Sequence, residues 1–107
     1  QGQTTRGIQM KERALSPLAE VESRFYLRFD VEDRPGVLGR IATGLGEAGV
    51  SIEQMVQEGR AQETNGAVPV LIITHACREG SVRAALDAIG REAFMRGKPR
   101  LLRIEDV

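Results

Sequence analysis

Hydrophobic and polar positions along this chain follow one period, then another. Phe25, Leu27, Phe29 and Val31 are apolar, while Tyr26, Arg28 and Asp30 between them are polar or amphipathic. Side chains on a strand point alternately to its two faces, so this period of two predicts a half-buried strand. From Pro35 the spacing changes: Leu38, Ile41, Ala42, Leu45 and Gly49 fall at i, i+3, i+4, i+7 and i+11. These positions share one face of a helix, with Arg40, Thr43 and Glu47 opposite. Pro35 fits the first helical position, where its missing N–H is no loss. Gly49 fits the left-handed residue that follows a last turn.

Residues 50–57 read as a second strand with a broken alternation. Val50 and Ile52 share a phase and Met55 falls on the other, which predicts a bulge near Gln54. Residues 59–66 are polar and end on Asn65-Gly66, a hairpin-loop signal. Residues 68–74 form an apolar, β-branched run suited to a central strand, with Pro69 placed near its start. Val82, Ala85, Leu86, Ile89 and Ala93 restore the helical period, and Arg83, Asp87 and Arg91 lie four apart on the outer face. Gly97-Lys98-Pro99 breaks the chain, and residues 101–104 close as a last strand.

The predicted order is therefore β-α-β-β-α-β. Two amphipathic helices and one alternating sheet bury one another when both helices cover the same face. The predicted fold is α+β and ferredoxin-like, a four-stranded antiparallel sheet with two helices on one face. Residues 1–22 lack a sustained apolar period and read as a linker, the end of a preceding region or added residues. The compact domain is expected over residues 23–107.

Composition narrows the function classes. Fifteen Lys+Arg balance fifteen Asp+Glu in 107 residues, with 41% hydrophobic side chains. A neutral chain without a basic run argues against a nucleic-acid partner. No apolar stretch is long enough to span a membrane. A single cysteine, Cys77, excludes an internal disulfide and leaves too few soft ligands for structural zinc, so no metal is expected and a cytoplasmic setting is the simplest reading.

Catalytic signals are scarce. Gly44-Leu45-Gly46-Glu47-Ala48-Gly49 matches G-x-G-x-x-G, but it follows a predicted helix and precedes a strand, the reverse of a dinucleotide fingerprint. His75 and Cys77 sit near each other at a strand end without a third partner, so no catalytic residue and no cofactor site are assigned. The third strand lacks the aromatic residues on which RNA-recognition sheets stack bases. The informative segment is Asp33-Arg34-Pro35-Gly36-Val37-Leu38, where strand turns into helix. A helix start exposes unpaired N–H groups that favour a carboxylate, and Gly36 removes the side chain that would block them. Asp33 or Glu32 then stands ready to pair with an ammonium group, giving a clamp for a free amino acid. An alternative stays open from the residues alone: Asp33 caps the helix and Pro35-Gly36 only turns the chain.

Tyr26-Leu27-Arg28-Phe29 with Val31-Glu32-Asp33-Arg34-Pro35-Gly36-Val37-Leu38 resembles the opening of an ACT domain, an amino-acid-sensing module of biosynthetic enzymes. Residues 21–28, Ala67-Val68-Pro69, Ile73-Thr74-His75, residues 82–86 and residues 98–106 resemble, more narrowly, the C-terminal domain of bacterial homoserine dehydrogenases. That resemblance implies a parent oxidoreductase that interconverts homoserine and aspartate semialdehyde with NAD(P), on the route to threonine and methionine. It implies that the fragment itself holds no catalytic residue and no cofactor. Its implied role is feedback control by a free amino acid, threonine foremost, through a homodimer; a purely structural dimerisation module is the alternative. Matched to the family, the effector site comprises Asp33, Gly36, Val37 and Leu38 from the loop, Ser51 and Ile52 at the start of the second strand, and Gln57 further along it. Ser51 stands where related threonine-sensing domains usually carry Asn, a shorter polar arm.

Overall fold

The computed structural model describes residues 21–58 and 66–105; residues 1–20 of the expected 1–22 linker and most of the loop ending at Asn65 lie outside them, while Glu22 already belongs to the first strand. The elements are β1 (Glu22–Glu32), α1 (Val37–Glu47), β2 (Ile52–Gln57), β3 (Ala67–Thr74), β4 (Cys77–Arg78), α2 (Glu79–Gly90) and β5 (Arg100–Ile104). The predicted β-α-β-β-α-β order holds, with the two-residue β4 added before α2. All pairings are antiparallel: β2 with β3, β3 with β1, and β1 with β5. The four-strand order is thus β2-β3-β1-β5, with β2 and β5 at the edges.

Alternation decides which face carries the core. Phe25, Leu27, Phe29 and Val31 of β1 and Val68, Val70, Ile72 and Thr74 of β3 are buried. All of these but Val68 and Thr74 pack with Val37, Ile41 and Leu45 of α1 and Val82, Ala85 and Ile89 of α2 in one cluster. Burying each large side chain contributes about 1.5–3 kcal/mol, and these two central strands supply most of them. Gly44 lets the helices meet: a Cβ there would lie 2.9 Å from Ile89 Cγ1.

Several expectations are corrected. Pro35 is not the first helical residue. Residues 34–37 form a turn in which Pro35 occupies the second position and Gly36 the third, at φ +88°, with the Val37 N–H donating to the Arg34 carbonyl at 3.4 Å. Those angles and that Pro-Gly pair are of type II, and a left-handed residue cannot continue into a helix, so α1 begins at Val37. At the other end Gly49 does adopt φ +85°, and the N–H groups of Val50 and Gly49 donate to Leu45 and Gly46 in a Schellman stop. The second helix ends at Gly90, which leaves Ala93 exposed outside it; the buried residue of that segment is Phe94. Arg83 turns back to Glu79, at 2.8 Å, rather than forward to Asp87.

The predicted bulge appears as a register shift between Ile52 and Gln54. Pro69 lies third in β3, and its carbonyl accepts from the Glu58 N–H at 3.0 Å. A residue's N–H and C=O point to the same side of a strand, so the donor that Pro69 lacks would have faced the very end of β2, where little pairing is lost.

β4 continues the pairing to β1 beyond His75-Ala76, one residue out of step: Glu22 opposes Arg78 and Ser23 opposes Cys77. At the step the Phe25 N–H donates to the Thr74 hydroxyl at 3.0 Å. A buried amide that would otherwise be orphaned is thereby satisfied. Cys77 Sγ lies 3.8 Å from the same hydroxyl, and burial pushes its thiol pKa up, so it is an inert filler rather than a nucleophile.

Candidate functional site

The turn at residues 33–36 is held from behind. The Arg96 N–H donates to the Asp30 carbonyl at 2.7 Å and the Glu32 N–H to the Phe94 carbonyl at 2.9 Å, which lashes the segment after α2 to the end of β1. Arg34, at 3.2 Å, and Arg96 both engage the Glu32 carboxylate. Of the two acids offered by the sequence, Glu32 is therefore occupied. Asp33 is exposed, and it forms no ion pair or side-chain hydrogen bond among the described residues.

The first turn of α1 is open. Its N-cap, Gly36, supplies no side-chain cap, and no acidic residue stands in the first turn. Asp33 does not cap the helix, so the capping half of the alternative is removed, while Pro35-Gly36 does turn the chain. The Arg40 N–H reaches the Gly36 carbonyl at 3.0 Å, and Val37 uses the turn bond. The amides of Leu38 and Gly39 find no acceptor among the described residues. A Cβ placed on Gly36 or Gly39 would meet nothing within 4 Å. Two unpaired donors at the positive end of a helix, beside a free carboxylate, are what a zwitterion requires. Gly39 was not anticipated from sequence. Its signal was the Pro-Gly turn, which starts the helix two residues later and moves the free amides from Gly36-Val37 to Leu38-Gly39.

Within one chain the predicted site residues fall into two groups. Both β1 and β2 run antiparallel to β3, so they point the same way. Gln57, at the end of β2, shares the end of the sheet to which β1 delivers the turn. Ser51 and Ile52 lie at the other end, across the eleven residues of α1, about 16 Å at 1.5 Å per residue. Ser51 is exposed and its carbonyl accepts from the His75 N–H at 2.9 Å; Ile52 is partly buried against the core. Val37 is buried and Leu38 half-buried, so both offer backbone rather than side chain at the turn. A groove of about 410 Å³ runs from Gly36 along α1 beside Ile89 and Glu92, crossed by the Arg40–Glu92 bridge at 2.9 Å. Among the predicted residues it takes in Gly36 alone, so it does not unite the site.

The G-x-G-x-x-G stretch does not fit a nucleotide phosphate. It occupies the C-terminal half of α1 and its stop, where carbonyls and the negative end of the dipole face outward. Gly44 is there for helix packing. No group of three or more His, Cys, Asp or Glu with metal-binding geometry occurs among the described residues.

The ACT domain family profile matches residues 25–94. A homoserine dehydrogenase from Synechocystis is 39% identical over 90 residues, 84% of this chain and 20% of that protein. The crystal structure of a homoserine dehydrogenase from Thiobacillus denitrificans superposes with TM-score 0.75 at 33% identity, covering 85% of this chain and 19% of that one. The ACT domain from a GTP pyrophosphokinase of Chlorobium tepidum, at 12% identity, shares the fold with TM-score 0.59 over 76% of this chain and 99% of its own. The chain thus spans about a fifth of the homoserine dehydrogenases it matches. With the fold, the open turn and the family profile agreeing, the chain belongs to the ACT domain family.

Proposed function

We infer that this chain is the amino-acid-sensing regulatory domain of a homoserine dehydrogenase, and that threonine is its effector. The parent would be an NAD(P)-dependent oxidoreductase interconverting homoserine and aspartate semialdehyde, with its nucleotide-binding and catalytic regions upstream. The observation that carries the reading is the uncapped entrance of α1: free amides at Leu38 and Gly39 for the carboxylate, and Asp33 for the ammonium.

Pairing two copies completes the site. Strands at sheet edges pair through their exposed backbone groups, and β2 presents such an edge. Antiparallel pairing of β2 with β2 about a two-fold axis lays the start of one strand beside the end of the other. Ser51 and Ile52 of one copy then adjoin Gln57 of its mate, at the end of the sheet that carries the mate's Asp33–Leu38 turn, bringing toward each other the two groups that a single chain keeps apart. An effector seated there favours the paired arrangement and shifts the attached catalytic part by its differential affinity, ordinarily about 1–3 kcal/mol.

Calorimetry of the chain with L-threonine, against isoleucine, methionine and homoserine, tests this reading. Threonine is expected to bind with a stoichiometry fixed by the dimer. Asp33→Ala should weaken it at least tenfold while the melting temperature stays within a degree or two, because an exposed residue that caps nothing contributes little to stability. A folded dimer that gives no heat with any of the four at millimolar concentration overturns sensing and leaves a structural dimerisation module.

A further inference from the structure

The acid beside Asp33 is held more tightly than the architecture of the turn requires. Main-chain contacts already fasten the end of β1 to the segment after α2. The Glu32 N–H donates to the Phe94 carbonyl at 2.9 Å, the Arg96 N–H donates to the Asp30 carbonyl at 2.7 Å, and Val31 bridges to Met95. None of these bonds uses a side chain. Arg34 alone, at 3.2 Å, gives the Glu32 carboxylate a partner. The Arg96 guanidinium nevertheless joins the same carboxylate. Both arginine side chains are about half exposed, and ion pairs that open to water add little to stability. The second arginine is surplus to the scaffold.

It is not surplus to the charge of the site. One carboxylate shared by two guanidiniums leaves a single positive charge in excess, next in sequence to the free carboxylate of Asp33. Adjacent residues have Cα atoms about 3.8 Å apart, so this cluster acts on Asp33 from about a Debye length or less. Arg40 and Glu92, paired at 2.9 Å, cancel each other nearby. With Arg96 in place the turn is therefore neutral as a whole. Its negative pole is Asp33, and its positive pole is the arginine excess together with the free amides that open α1. Without Arg96, Glu32 and Arg34 would cancel, and Asp33 would leave the turn one charge negative.

A neutral turn with separated poles matches a zwitterion, which also has separated poles and no net charge. An amino acid with a second ammonium group finds no free carboxylate for it at this turn among the described residues, and it meets the arginine excess instead. Discrimination between partners arises from such unmatched charges as much as from matched ones. We propose that Arg96 is a specificity-determining residue of the effector site: by over-neutralising Glu32 it admits amino acids with uncharged side chains and turns away basic ones. The proposal rests on the amino-acid-sensing reading given above and names the charge class that the site accepts.

Calorimetry of the chain with L-threonine and L-lysine tests it, at low and at physiological salt. The wild type is expected to favour threonine. Arg96→Gln keeps every main-chain bond to β1, so the melting temperature should hold. The preference for threonine over lysine should narrow about fivefold, mainly through tighter lysine binding, and the change should shrink as salt is added. Arg96→Lys keeps the charge and should keep the wild-type ratio. The double variant Glu32→Gln with Arg96→Gln leaves Arg34 as the single excess charge and should restore that ratio, although it removes both partners of the ion pair. A merely structural arginine would make the double variant no better than the single one. A wild type that binds threonine while Arg96→Gln leaves the ratio within twofold, or weakens both ligands equally, overturns the charge selection and leaves the sensing reading standing. So does a double variant that fails to restore the ratio. A wild type that binds neither amino acid overturns both.

Discussion

The two edges of the sheet are treated in opposite ways. β5 is blunted: two of its five residues are Arg, Lys98 and Pro99 precede it, and Arg103 is tied down to Glu79 at the start of α2. The β2 edge has one charged residue in six, Glu53, and that one is drawn across β3 to Arg24 at 2.8 Å. Past the half-buried Ile52, the rest of β2 is exposed without Lys, Pro or a covering segment among the described residues. Edge strands are ordinarily protected because their unpaired backbone groups recruit other strands. In the proposed pairing the bare edge is the one used, and a two-fold contact that uses each bare edge once would stop at two copies.

The sharpest way to break this contrast is to guard the bare edge. Met55→Lys places like charges near the proposed two-fold axis and should weaken pairing at least a hundredfold, read as a monomer in micromolar sedimentation. Met55 is over a third exposed, so the fold should survive.

Next in size is the anchor of the guarded edge. Glu79 is only 12% exposed in its side chain and accepts from both Arg83 and Arg103, which hold its carboxyl below the usual carboxylate range. A depressed folded pKa means that stability is fully present above the ordinary carboxylate pKa and is lost as pH falls through the folded value. Glu79→Gln should therefore cost about 1–3 kcal/mol at neutral pH and flatten the acid limb of the unfolding curve, without changing β2 pairing.

A smaller effect is expected at the turn that follows β1. Gly36→Ala forces a Cβ into φ +88°, costing about 1–2 kcal/mol, and threonine binding should fall with it. Smallest of all, Arg100→Thr at the guarded edge should move the dimer dissociation constant less than twofold and stability by less than about 0.5 kcal/mol. A large rise in association from this change would mean that charge, rather than geometry, distinguishes the edges.

Most of the scaffold was legible because its signals are periodic. β1 buries alternate residues as read, the apolar run of residues 68–74 is the central strand β3 although it buries only every second residue, and α1 turns Ile41 and Leu45 inward. The misses share a cause, which is that local backbone chemistry overrode the period. Pro35 looked like a helix start, yet the Pro-Gly pair encoded a type II turn and Gly36 took the left-handed conformation. Ala93 continued the α2 pattern on paper, but the helix had stopped at Gly90, and Phe94 entered the core from a turn that has no period to detect. β4 spans two residues, too few for any alternation. At the candidate site, the loop residues and their acid were readable, and the choice of Asp33 over Glu32 was not. It depended on Arg96, more than sixty residues away in sequence, reaching Glu32. The split of Ser51 and Ile52 from Gln57 was equally hidden, because strand direction emerges only from the sheet.

The step between β3 and β4 has a mechanical consequence. The first residues of β1 are fastened to Arg78 and Cys77, and the Glu79 N–H donates to the Val21 carbonyl at 3.3 Å. Tension applied where the polypeptide enters the domain is therefore borne by the root of α2, with the Thr74 hydroxyl as the rivet beside it. A shift of that helix would tug on whatever lies ahead of Val21 before the central strands had moved.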